Sequence, residues 1–402
     1  MRNLAPRESF RQNLIAPKKR NYITNGWKAN DVLIIKTMSL ERPSSIPSSN
    51  PETITPEDFA RQAQAVIGDR NIEFGNFEKF ADGKNRFLWG FTKAEDPSLT
   101  PGFIKMGPVS NEETSASNKE KLDDFLYREV KALETAQRMG VPSVKILQDF
   151  TITPDKKHAL IHLEALDSND GSALTSAEMI AAADPELGTW AATTLHDFAG
   201  REIPPNTETA SWKRWDERNE TPEVFNQTWQ ADAQVVLSGL KEKHRLRFAK
   251  VIEQVKQELD PVITASQTSD KEYLVHNDAS PSNTFFNETT RQAILLDFER
   301  AGTTHNQSLA VLTDISTFYG RCWPNPNMQK AFIRQYLESS PPEQRAKEYI
   351  QLKGAIVFGS IFFAKFAMDR NHPEHTMAVG LLGSLEKNLA YLDKTYLDIS
   401  QG

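Results

Sequence analysis

The sequence predicts an α+β protein in two lobes: a small antiparallel-sheet lobe with one long helix, then a larger, mostly helical lobe. Three observations carry this expectation. Between residues 70 and 166, short runs rich in aromatic and β-branched residues alternate with turn signals around a single long amphipathic stretch. Beyond residue 167 helical periods dominate, over 174–198, 223–259, 326–339, 343–369 and 374–397. A length of 402 residues is enough for two lobes around a sizeable core.

Taken in order, residues 1–55 read as a disordered N-terminal arm and linker, because "ERPSSIPSSNPETITP" (41–56) is dominated by Pro and Ser. Its basic start, Arg2 to Arg20, suits either a basic tail or an organelle transit peptide, and Met38 offers an alternative start. Order should begin near Thr55, an N-cap followed by Pro56, Glu57 and Asp58, in a helix that stops at Gly68. A hairpin then follows in 71–93, turning at "ADGKN", with a third strand in "GFIKMG" (102–107). The long helix runs from about Asn118 to Met139 and is closed by Gly140, with Pro142 just beyond. "VKILQDFTIT" and "HALIHLEAL" complete a lobe of residues 56–166, and 167–402 form the helical lobe.

Composition narrows the functional classes. The net charge of −7 argues against a nucleic-acid binder, which needs a basic face. That charge is uneven: residues 1–60 carry nine Lys/Arg and six Asp/Glu, so that segment is +3 and the rest is −10. A single cysteine, Cys322, excludes an intramolecular disulfide framework and suits a reducing, cytoplasmic setting. The longest apolar run, "GAIVFGSIFFA" (354–364), is too short to span a bilayer and reads as a buried helix.

The chemistry concentrates in "YLVHNDASPSNTFF" (273–286), where His276, Asn277, Asp278, Ser280, Ser282 and Asn283 interrupt two apolar strand signals. A polar turn and a further strand, "AILLDFERAG", follow, so a hairpin can return Asp297 to the neighbourhood of Asn283. Two carboxylates and an amide oxygen are hard ligands suited to magnesium. Phosphoryl transfer needs such a set: one acid for the acceptor hydroxyl and oxygens to hold metal on phosphates. Upstream, Glu129 falls inside the apolar stripe Leu122, Phe125, Leu126, Val130, Leu133 and Ala136. A carboxylate there is costly unless paired, and Lys105 in "FIKM" is the obvious partner.

"HNDASPSN" followed by "LLDFE" resembles the catalytic loop and metal-binding segment of protein-kinase-like small-molecule kinases, a group that includes aminoglycoside phosphotransferases and choline/ethanolamine kinases. The resemblance implies a bilobal protein-kinase-like fold, with ATP and Mg2+ as cofactors and a small-molecule hydroxyl as acceptor. It implies Asp278 as catalytic base or hydroxyl-orienting acid, Asn283 and Asp297 as magnesium ligands, and His276 as a bracing residue. Lys105, held by Glu129, would meet the nucleotide's phosphates, with adenine near "HLEAL". "ELGTWAATTLHDF" (186–198) is similar to the helix that opens the family's C-terminal lobe, and Asp314 to its structural aspartate, with an insertion implied before it. The HND and DFE forms lean toward choline, ethanolamine or another amino alcohol, with an aminoglycoside or sugar as the alternative acceptor.

Blander readings stand beside these. Asn/Asp/Ser/Pro clusters mostly make turns, so the loop gains weight only from Lys105, Glu129 and Asp297 in order. A calcium loop starting at Asp278 fails, because Asn283 and Thr289 stand where glycine and glutamate are needed. His196 reads as a structural histidine bonded to a backbone carbonyl. Trp212, Trp215 and Trp229 either box a quaternary ammonium or pack in the core. Two departures stand out: one glycine, Gly83, in the hairpin turn, and no "APE" signature after Asp297, which argues against a protein substrate. The competing class is a non-catalytic, nucleotide-binding regulatory protein on the same fold.

Overall fold

Period-two alternation in two central strands sets the geometry of the N-terminal lobe. The computed structural model describes residues 56–68, 72–73, 88–92, 102–109, 122–167, 169–207, 209, 221–266, 270–369 and 375–401. The expected disordered arm, the "ADGKN" turn with Gly83, Trp212 and Trp215 lie outside the described residues.

A helix α1 (Pro56–Ile67) leads into strands β1 (Ile72–Glu73), β2 (Leu88–Thr92) and β3 (Gly102–Pro108). Helix α2 (Leu122–Arg138), β4 (Ile146–Ile152) and β5 (His158–Glu164) follow. The five strands form one antiparallel sheet in the order β1-β2-β3-β5-β4. Ile104, Met106 and Leu160 point to one face, against Phe59 and Ala63 of α1. Ala159, Ile161 and Leu163 point to the other, where they join Leu126, Val130 and Leu133 of α2. Lys105 is paired in register with Ile161, so alternation aims it at α2 as well.

Helix α2 ends as expected. Gly140 takes φ +73°, Val141 N–H donates to the Ala136 carbonyl at 2.9 Å and Gly140 N–H to that of Gln137 at 2.9 Å, the paired bonds of a Schellman stop.

The helical lobe begins with β6 (Gly171–Ala173), α3 (Ala177–Ala182) and α4 (Glu186–Phe198). The single helical period expected over 174–198 is broken at Asp184–Pro185, since proline cannot continue a helix. Likewise 223–259 divides at Gly239 into α5 (Pro222–Ser238) and α6 (Glu242–Ala265). Then come β7 (Tyr273–Val275), β8 (Thr284–Asn287), β9 (Gln292–Leu295) and β10 (Gly302–Thr304). Four helices close the chain: α7 (Gln307–Arg321), α8 (Pro326–Ser339), α9 (Arg345–Asp369) and α10 (His375–Gln401). Helix α7, nearly all of whose residues are buried, was not among the expected helical stretches.

The apolar run at 354–364 is the middle of α9, buried against α7 rather than in lipid. Among the described residues no helix is long and apolar enough to cross a membrane. The two helices meet at glycines: a Cβ on Gly359 would stand 2.6 Å from the Ser316 carbonyl oxygen. Gly359→Ala is therefore expected to lower stability by about 1–3 kcal/mol through overpacking, read as a shift in the urea midpoint.

Two smaller expectations resolve here. His196 bonds the Glu348 carboxylate through Nε2 at 3.0 Å, not a backbone carbonyl, because α9 brings an acid to the side of α4. Trp229 is core: it is 1% exposed and stacks on Phe358 at 5.8 Å between ring centroids.

Candidate active site

The polar loop is held between sheets rather than within one. Strand β7, before it, pairs with β10, whereas β8, after it, pairs with β6 and β9. The loop therefore bridges two separately anchored strands, and its polar groups find partners in one another and in the elements around it. His276 lies fully buried; its Nε2–H donates to the Leu296 carbonyl at 2.7 Å, which leaves Nδ1 to accept from Asp278 N–H at 3.3 Å. Burial also pushes the imidazole pKa down, so the ring stays neutral in the form these bonds require.

Asp314, on α7, accepts the N–H groups of His276 at 3.1 Å and Asn277 at 2.9 Å, one on each oxygen. Burial raises its pKa to about 7 against the pull of those two bonds. Strand β10 and the start of α7 together carry Asp314 back to the loop. Asp314→Ala would leave two buried backbone donors unpaired. We expect a loss of about 2–4 kcal/mol, measured by denaturant unfolding.

Asn277 has a backbone role in the loop. Its φ is +68°, a left-handed conformation that Asn tolerates and most residues do not. Its side chain donates to the Arg300 carbonyl at 3.0 Å, tying the loop to the segment after Asp297. The serines are also accounted for: Ser280 and Ser282 hydroxyls share a bond of 2.8 Å.

The hairpin closes as its spacing implies. Thr284 is in register with Leu295, and Leu296 N–H donates to the Asn283 carbonyl at 2.9 Å. Asn283 is thus brought beside the residue preceding Asp297. Its Nδ2 donates to the Asp278 carbonyl at 3.0 Å, while its Oδ1 accepts no hydrogen bond among the described residues. Asp297 itself sits at φ +59°, ψ +64°, the left-handed region, where the chain leaves the strand and turns its carboxylate toward β3.

Lys105 Nζ meets both oxygens of Glu129, at 2.9 and 2.8 Å, and Asp297 Oδ1 at 2.6 Å, with Glu299 at 3.8 Å. All three carboxylates and the ammonium are largely removed from solvent. Burial alone would lower the lysine pKa, but Asp297, Glu129 and Glu299 together outweigh it and keep the ammonium charged. Burial, reinforced by Asp297, pushes Glu299 up to about 8. Glu129, Asp297 and Glu299 each present an oxygen within 4.8 Å of the others, a donor set of hard oxygens suited to a divalent cation. The second oxygen of Asp297, Oδ2, accepts no hydrogen bond among the described residues, so it and Asn283 Oδ1 are left with coordination capacity.

Asp278 stands apart from this cluster. Its carboxylate accepts no hydrogen bond among the described residues; the nearest cation is Arg321, with Nη2 3.6 Å from Oδ1. Burial raises its pKa, against the charges of Arg321 and Arg300. Glu299 and Arg321 received no role from the sequence. Glu299 was visible as the last letter of "DFE", but Arg321 lies at the far end of α7 and carried no local signal.

A five-stranded sheet with a buried lysine–glutamate pair, joined to a helical lobe whose loop and hairpin present Asp278, Asn283 and Asp297, defines a protein-kinase-like phosphotransferase fold. The model of the phosphotransferase enzyme family matches residues 117–347, more than half of the sequence, and the chain belongs to that family. Among solved structures, an aminoglycoside phosphotransferase from Alicyclobacillus acidocaldarius is similar at TM-score 0.51 and 14% identity, over 84% of this chain and 96% of that one. A choline/ethanolamine kinase family protein from Mesorhizobium loti gives TM-score 0.42 and 14% identity over 78% and 89%. The GDP complex of aminoglycoside 2'-phosphotransferase-IIIa gives 0.47 and 12% over 83% and 97%. A comparison with curated protein sequences finds no match.

Proposed function

We propose that the protein transfers the terminal phosphoryl group of a nucleoside triphosphate, ATP in the first instance, to a hydroxyl of a small molecule. The observation that carries this reading is Lys105, which joins β3, α2 and the segment after β9 through Glu129 and Asp297. Three distant stretches of sequence converge on one ammonium, and a buried cation among carboxylates is where triphosphate oxygens would be received. In this reading the nucleotide lies between the 56–166 lobe and the 167–402 lobe, with Lys105 on its phosphates and Glu129 holding the lysine.

Asp297 and Asn283, with Glu299 beside them, would hold magnesium, which neutralises charge on the phosphates when bound. Asp278 orients the acceptor hydroxyl and takes its proton as the new P–O bond forms and the bond to the leaving diphosphate breaks. The acceptor panel begins with choline and ethanolamine and extends to aminoglycosides and sugars, the two classes that the sequence resemblance implies.

The test is turnover of Mg-ATP and Mg-GTP across that panel by the wild type, Asp278→Ala and Asp297→Ala. Phosphorylated product from the wild type, lost in both variants, is the expected result. Nucleotide-dependent thermal stabilisation without any phosphorylated product would overturn the enzyme reading and leave a binding protein on the same fold.

A further inference from the structure

Helix α7 presents two charged residues to the catalytic loop. Asp314 holds the loop's backbone, and Arg321, seven residues and about two turns later on the same face, reaches the Asp278 carboxylate. Both partners of that contact are largely buried, with side chains 14% and 10% exposed. The approach of 3.6 Å is an ion-pair contact, longer than a hydrogen bond. Its Cζ lies 5.6 Å from the Phe363 ring centroid, which braces it from α9. A second guanidinium, Arg300, adds its charge at Asp278, and the Arg300 backbone carbonyl accepts from Asn277 Nδ2.

This arrangement bears on the acceptor. Any hydroxyl that reaches Asp278 brings its neighbouring substituents within a few ångströms of Arg321. A substituent ammonium there meets a like charge in a site shielded from solvent, whereas a carboxylate or phosphate meets a planar fork of donors suited to it. Resting on the reading of Asp278 as the hydroxyl-orienting residue, we propose that the acceptor is a hydroxy compound bearing a carboxylate or phosphate close to the reacting hydroxyl, and that Arg321 binds that anionic group. An amino alcohol fits only if it also carries such an anion, as a hydroxy amino acid does.

The experiment uses the full chain with Mg-ATP and Mg-GTP and three acceptor sets. One is anionic (hydroxy acids, hydroxy amino acids and sugar phosphates), one cationic (choline, ethanolamine and kanamycin) and one neutral (glycerol and hexoses). The highest kcat/KM is expected in the anionic set. Arg321→Gln is expected to raise KM for that acceptor by about 10–100-fold, the loss of one charge-assisted contact, while the nucleotide KM stays within a few-fold. Arg321→Lys should recover part of the lost affinity, and it carries the test if the glutamine variant does not fold. A cationic or neutral acceptor with the highest kcat/KM overturns the inference and leaves the phosphotransferase reading intact. So does an Arg321→Gln variant that loses kcat while KM for the acceptor is unchanged, since a purely structural arginine would behave that way. If no compound in any set is phosphorylated, the proposed function itself fails, and the inference with it.

Discussion

Asp278→Asn is expected to lower kcat by about 10²–10⁴-fold while leaving the KM for nucleotide unchanged, the range for removing a positioned general base. The substitution keeps the shape of the side chain and removes its negative charge, and with it the ability to take a proton. Its structural cost should be small, because the native carboxylate accepts no hydrogen bond among the described residues and meets Arg321 only at 3.6 Å. Steady-state kinetics and a melting curve on the same preparation test both halves of this expectation. A fall in kcat of less than threefold would show that Asp278 takes no proton in the rate-limiting step.

Lys105→Met is expected to be the most destabilising single substitution at the site, by about 3–5 kcal/mol, because it breaks a buried ion pair and leaves its partners uncompensated. Glu129, fully buried on the apolar face of α2, loses both its hydrogen bonds, and Asp297 loses its contact at 2.6 Å. The double variant Lys105→Met/Glu129→Leu removes one of the stranded carboxylates as well. It should recover a large part of the stability, though none of the nucleotide binding under the proposed function. Urea unfolding of the two variants, with and without Mg-ATP, separates the structural role of the lysine from its role toward the nucleotide. A double variant no more stable than Lys105→Met would show that the buried charge on Glu129 is not what the lysine neutralises.

These effects converge on residues that were unevenly legible beforehand. Lys105 and Glu129 could be paired from sequence because each broke a local pattern: an acid on an apolar helical stripe needs a cation, and alternation in β3 aims Lys105 at that helix. Asp297 could be returned to Asn283 because a hairpin is a local device whose register follows from the turn between its strands. Asp314 was recognised only by its resemblance, since the backbone groups it holds, those of His276 and Asn277, lie 38 and 37 residues earlier in the chain.

Glu299 and Arg321 reach the site in ways that no local pattern marks. Glu299 sits in the quoted motif, but its approach to Lys105 depends on the 3-10 turn Phe298–Arg300 that follows the left-handed Asp297. Arg321 is an ordinary helix-terminal arginine in sequence, and its meeting with Asp278 is set by how α7 packs against α9 through Gly320 and Gly359.

By itself, then, the sequence determined the order of the elements and the local chemistry: an interrupted polar loop, a hairpin ending in an acid, and a lysine and a glutamate that require each other. Periodicity, caps and turns act over a few residues, and those signals are written where they act. Only the tertiary structure decided that one ammonium would be shared by three carboxylates, that the loop would be suspended between two sheets, and that an arginine from the far end of α7 would face Asp278. Those are through-space contacts between segments far apart in the chain, and packing of buried surfaces selects them without leaving a local pattern to read.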